Sequence, residues 1–158
     1  MDALARKPEY YTDAHQRVAG NLHGLLWTFL RGKRCQVRPA PYAVRLNAKL
    51  GDDTVVVPDL AVICDPGKID KRGCVGAPDL VIEVLSPSTA AYDKLVKYNK
   101  YLQAGVREYW IVDTEFNIVN AFIAKDGEWV ARAYGEEDTI PVTVLEGCEI
   151  DLKEVFAE

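Results

Sequence analysis

At 158 residues, 49% of them apolar and 27% charged, the chain has the make-up of a soluble globular protein and the length of one domain spanning 1–158. No apolar run approaches the roughly 20 residues that cross a bilayer, and no signal-peptide pattern opens the chain. A formal charge of −5 argues against a general nucleic-acid coat protein, although a local basic rim or bound metal ions leave room for a nuclease.

Residues 1–11 show little periodicity and read as a loosely held arm. Thr12 or Asp13 caps a helix over 13–31, in which Val18, Leu22, Leu25, Leu26, Phe29 and Leu30 recur at helical spacing. His15 falls on the same side as this stripe, whereas His23 falls on another face. Gly32 suits the helix stop, and Gly20 and Gly24 read as positions of close packing on a sheet. Cys35–Arg38 and Tyr42–Leu46 read as strands joined around Pro39-Ala40-Pro41, followed by a polar turn over 47–53.

Thr54–Cys64 is a further strand signal in which Pro58 removes a ladder donor, so a bulge, an edge position or a break is expected there. If alternation survives, Val57, Asp59, Ala61 and Ile63 share a face. Residues 65–78 read as a charged, solvated loop. Leu80–Leu85 is an apolar run interrupted only by Glu83, which marks a central strand covered on both faces. Ser86-Pro87-Ser88-Thr89 turns the chain and supplies a helix cap. The helix over 90–104 stops at Gly105, and Asp93, Lys97 and Tyr101 form one row along it.

Glu108–Val112 is the next strand, so residues 80–112 fit a parallel strand–helix–strand crossover. Asn117–Ala124 and Glu128–Tyr134 flank the turn signal Asp126-Gly127. Ile140–Val144 and a short element near 151–156 close the chain. This part reads as sheet extension or an oligomer contact. The four cysteines, Cys35, Cys64, Cys74 and Cys148, have no C-x-x-C spacing. They are expected as reduced, buried thiols, which points to a cytoplasmic location.

Two acids stand out because each sits inside an apolar strand signal, where a carboxylate is unfavourable unless a cation or hydrogen-bond donor meets it. Asp59 and Glu83 on neighbouring strands, with the carbonyl of Val84, would supply one side of a Mg²⁺ (or Mn²⁺) coordination shell. Lys97 on the next helix would place an ammonium beside the attacking water or the developing phosphoryl charge. Taken singly, Asp59 after proline is more ordinarily a turn residue and Lys97 a solvated one. Glu83 is the member for which a plain structural role is the weaker reading.

The succession Pro58-Asp59, Glu83-Val84-Leu85 and Lys97 resembles the PD-(D/E)XK, or restriction-endonuclease-like, superfamily. More narrowly, the chain resembles its bacterial Uma-type family of endonucleases. The matching text is HQRVAGNL (15–22), VVVPDLAVICD (55–65), APDLVIEVLSPST (77–89), the Asp93–Lys97–Tyr101 row and GVREYWIVD (105–113). The resemblance implies an α/β fold with a mixed central β-sheet flanked by helices and a C-terminal β-hairpin extension. It also implies Asp59 and Glu83 as metal ligands. The superfamily motif puts lysine two residues after the acid, where this chain has Leu85, and the family resemblance moves that role to Lys97.

In relatives a Glu-Leu-Ile-Asp-Gly hairpin precedes the first helix, whereas this chain runs from Pro8-Glu9-Tyr10-Tyr11-Thr12 almost directly to His15. The expected activity is Mg²⁺-dependent hydrolysis of DNA by a homodimer, with His15, Asp79 and Tyr101 supporting the ligands. Lys33, Arg34, Arg38, Lys68, Lys71, Arg72 and Lys94 are candidate phosphate contacts. The competing expectation is a non-catalytic dimeric binding or scaffold protein that keeps the nuclease fold around a decayed site.

Overall fold

A computed structural model describes residues 11–51, 54–85 and 90–158, with side chains throughout except at 49 and 90–95. The polar turn at 52–53, the cap at 86–89, the arm at 1–10 and the side chains of Asp93 and Lys94 lie outside the described residues. Helix α1 is Asp13–Leu30, capped by the Thr12 hydroxyl, which accepts from the His15 N–H at 3.0 Å. Past its end Gly32 takes a φ of 75°, a conformation that glycine adopts without strain. The Lys33 ammonium then reaches back to the Phe29 carbonyl at 2.8 Å.

Six strands form the central sheet, in the order β1 (Gln36–Pro39), β4 (Leu60–Ile63), β7 (Leu80–Val84), β8 (Glu108–Asp113), β9 (Ile118–Lys125) and β10 (Glu128–Gly135). In this sheet β7 and β8 are the parallel pair among the described residues, and between them lies α2 (Ala90–Ala104). The β9–β10 hairpin turns at Asp126 and Gly127, both at positive φ, and extends the sheet as expected. A second sheet, in the order β3 (Val55–Val56), β2 (Val44–Arg45), β6 (Gly73–Val75) and β5 (Ile69–Asp70), packs on one face of the first. Strands β11 (Thr139–Pro141) and β12 (Glu149–Asp151), with α3 (Leu152–Val155), complete the chain.

Strands β4 and β7 are buried along their whole lengths because they are covered on both sides. On one face Val18, Leu22, Leu26 and Leu30 of α1 meet Leu60, Val62, Leu80, Ile82 and Trp110. On the other, Ala61, Ile63, Val81 and Ile111 meet Tyr101 of α2 and the small sheet. Among the described residues no helix is long and apolar enough to cross a membrane.

Several expectations are corrected. The strands either side of Pro39-Ala40-Pro41 do not pair with each other: β1 joins the large sheet through β4, and β2 joins the small one. Of the outcomes expected at Pro58 the break is the one found, sending β3 and β4 to different sheets, so the face shared through Val57 does not persist: Val57 is 49% exposed while Ala61 and Ile63 are buried. Residues 65–78 are more than a loop, because they contain β5 and β6; the strands are too short to carry a periodic signal. Gly20 and Gly24 do not mediate close packing, since a Cβ at either would meet nothing within 4 Å.

Cys35 and Cys64 are joined in a disulfide rather than reduced. Gln36 pairs with Ile63 in the β1–β4 ladder, so one further step places the two cysteines opposite each other. Cys74 and Cys148 are free and buried, and burial pushes each thiol up to about 11.

Candidate active site

Strand register explains how two acids 24 positions apart in sequence come together. In the β4–β7 ladder Leu60 pairs with Ile82, and continuing the register one step places Asp59 opposite Glu83. Directly opposed residues project to the same face with Cβ atoms about 5 Å apart. The ladder stops there because the next position is Pro58, which has no N–H to offer Val84. The Asp59 carboxylate takes over as acceptor, receiving the Val84 N–H on Oδ2 at 2.7 Å.

Glu83 is 8% exposed. Its Oε2 accepts the Tyr101 hydroxyl at 2.7 Å and meets the Lys97 ammonium at 3.1 Å. Lys97 and Tyr101 lie one turn apart on α2, so a single helix face presents both donors to one carboxylate oxygen. Burial raises the pKa of Glu83, and the nearby Asp59 charge adds to the rise; Lys97 and the Tyr101 hydrogen bond oppose it. Burial and the Glu83 charge likewise raise the Tyr101 phenol, which stays protonated as a donor.

On the other side of Asp59, His15 Nε2 approaches Oδ1 at 3.3 Å. The buried Nε2 makes no hydrogen bond of proper geometry, so the contact is a close approach that becomes an ion pair when the imidazole is protonated. Nδ1 lies 2.9 Å from Gln16 Oε1 and the Tyr11 ring stacks on the imidazole at 4.1 Å. Burial lowers the His15 pKa, but Asp59 outweighs it and the net direction is upward.

The structure therefore brings Asp59, Glu83, Lys97, Tyr101 and His15 into one cluster, with the backbone of Val84 beside it. It does not bring Asp79 there. That acid lies at the other end of β7, roughly 13 Å along the strand, where it accepts from Arg107 at 2.7 Å and from the Cys64 N–H at 2.7 Å. Gln16 and Tyr11, which hold the imidazole, are not among the site residues expected from the sequence. Gln16 lies inside the HQRVAGNL stretch but is not singled out by it, and Tyr11 falls in the stretch that reads as a loose arm.

Glu108 is a further buried acid that the sequence does not announce, because it opens a strand whose apolar run is complete without it. It is fully buried and accepts from Trp110 Nε1 at 2.8 Å and the Val144 N–H at 3.0 Å.

Asp59 and Glu83 supply carboxylate oxygens, with the His15 imidazole and the Lys97 ammonium as the nitrogen groups beside them, and one or two carboxylates with waters and phosphate oxygens are the usual surroundings of Mg²⁺. Within a strand a residue's N–H and C=O leave on the same side, so the Val84 carbonyl is directed toward Asp59 and faces a proline that cannot satisfy it. The donor set fits a hard divalent ion with an incomplete protein shell. Among the described residues no three His, Cys, Asp or Glu side chains converge closely enough to hold an ion without further ligands.

Comparison with known proteins agrees with this architecture. The chain is 27% identical over 128 residues to "Uncharacterized protein slr1290" of Synechocystis sp. (strain ATCC 27184 / PCC 6803 / Kazusa), in an alignment covering 80% of this chain and 66% of that protein. The chain is also similar in fold, with a TM-score of 0.76 at 17% identity, to a crystal structure described as a putative nuclease belonging to DUF820 from Anabaena variabilis ATCC 29413. That superposition covers 96% of this chain and 84% of the other. A family model, Uma2, described as putative restriction endonuclease, matches residues 9–153. This chain belongs to the Uma2 family.

Proposed function

We propose that the protein is a metal-dependent endonuclease that hydrolyses DNA phosphodiester bonds. The observation that carries the reading is Asp59 facing Glu83 across a ladder broken by Pro58, with Lys97 on the second carboxylate. Asp59, Glu83 and the Val84 carbonyl would hold Mg²⁺ or Mn²⁺. Bound there, the ion would act as a Lewis acid on a phosphoryl oxygen and neutralise developing charge.

The chain's own part is positioning. Tyr101 keeps Glu83 aimed into the site, and His15 and the Val84 N–H fix the two oxygens of Asp59. The Lys97 ammonium orients a water for attack and offsets charge on the phosphoryl oxygens. Water attack makes one P–O bond and breaks another; the attacking water gives up a proton to solvent and the departing alkoxide takes one from it.

The test is plasmid cleavage in Mg²⁺ or Mn²⁺ by wild type, Glu83→Gln and Lys97→Ala. Cleavage by wild type alone is the expected result, and equal product from all three overturns it. A second reading has one observation in its favour: Lys97 and Tyr101 already satisfy Glu83 Oε2 without any ion. On that reading the protein is a non-catalytic dimeric scaffold, and calorimetry would find no Mn²⁺ binding near millimolar concentration.

A further inference from the structure

We infer that a trench between α1 and the open edge of β1 holds a single-stranded nucleic-acid segment and leads it to Asp59. The inference rests on the nuclease reading for the class of its ligand. Two hollows make the trench. One, of about 200 Å³, is lined by His15, Gly20 and Asp59, and the other, of about 600 Å³, by Trp27, Arg31 and Arg38. His23 and Pro39 line both, so the hollows adjoin end to end. From His15 to Trp27 the helix extends about 18 Å, enough for several nucleotides. The wall is open at Gly20, where a Cβ would meet nothing within 4 Å.

Three features identify the occupant. Trp27 is 50% exposed, with the Arg31 guanidinium over its ring at 5.3 Å. No residue lining the Trp27 hollow is acidic, although the chain carries a net charge of −5. Among the described residues β1 pairs only with β4, so its outer edge closes no other element. An indole beside a guanidinium, facing a second arginine across a groove, suits bases that stack and phosphates that ion-pair. A base can lie on an indole only after leaving its own stack, which a duplex interior does not permit. The ligand is therefore an unpaired strand that runs along α1 into the site.

Binding is measured without divalent metal, so the trench is tested apart from catalysis. The probes are a fluorescein-labelled oligo-dT of about 12 nucleotides and the same strand annealed to oligo-dA. Wild type is expected to bind the single strand at least about tenfold more tightly than the duplex. Trp27→Ala should weaken single-strand binding about 5- to 150-fold, and Trp27→Phe should restore most of it. An Arg31→Ala/Arg38→Ala pair should flatten the dependence on log salt by about 0.7 for each phosphate no longer neutralised; should Trp27→Ala fail to fold, this pair carries the test.

Equal affinity for strand and duplex, or wild-type binding by a Trp27→Ala protein that melts normally, overturns the inference. Plasmid cleavage by a protein that binds no single strand also overturns it, and leaves the nuclease reading intact. Single-strand binding by a protein that, given Mg²⁺ or Mn²⁺, cuts neither plasmid nor the bound single strand supports the trench and removes the nuclease reading.

Discussion

Glu83 and Glu108 lie on adjacent parallel strands, and both are buried acids whose pKa burial raises, yet the chain treats them in opposite ways. Glu108 is fully enclosed, and an indole N–H and a main-chain N–H satisfy it; it ties the segment at 144 to the sheet. Fixed dipoles of this kind cannot be exchanged for a ligand without unfolding something. Glu83 sits at the end of a broken ladder, opposite a second acid, with a half-buried lysine as its charged partner. A buried carboxylate thus marks a site when its partners are another carboxylate and a side-chain ammonium, and marks architecture when its partners are dipoles held by the fold.

Glutamine at each position separates the two roles most sharply. Glu83→Gln is expected to lower plasmid cleavage at least about 10³-fold while leaving thermal stability unchanged or raised, because a desolvated acid is removed. Glu108→Gln should do the reverse. The amide sets its NH₂ against one of the two N–H donors, at a cost of about 1–3 kcal/mol, read as a lower Tm with cleavage per folded molecule intact. Loss of activity from both, with no loss of stability from either, would break the distinction.

Lys97→Met should reduce cleavage by about 10²- to 10³-fold. It also removes the main influence that keeps Glu83 ionised against burial, so metal affinity should fall together with rate. Lys97→Arg, which keeps the charge, should recover part of the affinity.

Acidity gives a smaller and broader effect. The folded-state pKa of Glu83 lies above its ordinary value, so folding favours its protonated form. Its contribution to stability is full below the unfolded pKa and is lost as pH rises through the folded one. Glu108 has the same sign. Metal binding requires Glu83 ionised and should therefore strengthen as pH rises across that window, releasing a proton. Calorimetry in buffers of differing ionisation heat measures that proton, and its absence in wild type would show Glu83 already ionised in the free protein.

Much of this is legible in the chain, for reasons that differ by residue. Glu83 is visible because one acid inside LVIEVL has no ordinary explanation, and the stripe of α1 and the Asp126-Gly127 turn carry strong local periods. Asp59 can be suspected from sequence but not placed. Its meeting with Glu83 depends on the β4–β7 register, which Pro58 ends at that point. Non-local pairing also hides the Cys35–Cys64 bond, β5 and β6, which are too short to alternate, and the position of Asp79, whose partner Arg107 lies 28 residues away. The last case shows the limit of face assignment: alternation puts Asp79 and Glu83 on one side of a strand, but a strand has length as well as sides.

Tyr101→Phe is the smallest change that still addresses the contrast. It removes one hydroxyl from a fully buried ring that otherwise packs as before against Tyr109, so the apolar packing is nearly unchanged. The hydrogen bond it deletes is made to the ionised form of Glu83 and opposes burial there. A bond worth about 1.4 kcal/mol corresponds to about one pKa unit, so the pH midpoint of Mn²⁺ binding should rise by roughly that amount. At high pH affinity and cleavage should return to near wild type, since both carboxylates and Lys97 remain. A hydroxyl that served packing alone would lower Tm and leave the midpoint where it was. The two outcomes are distinguishable in one titration series, and only a moved midpoint is consistent with Glu83 being held ready to exchange its partners.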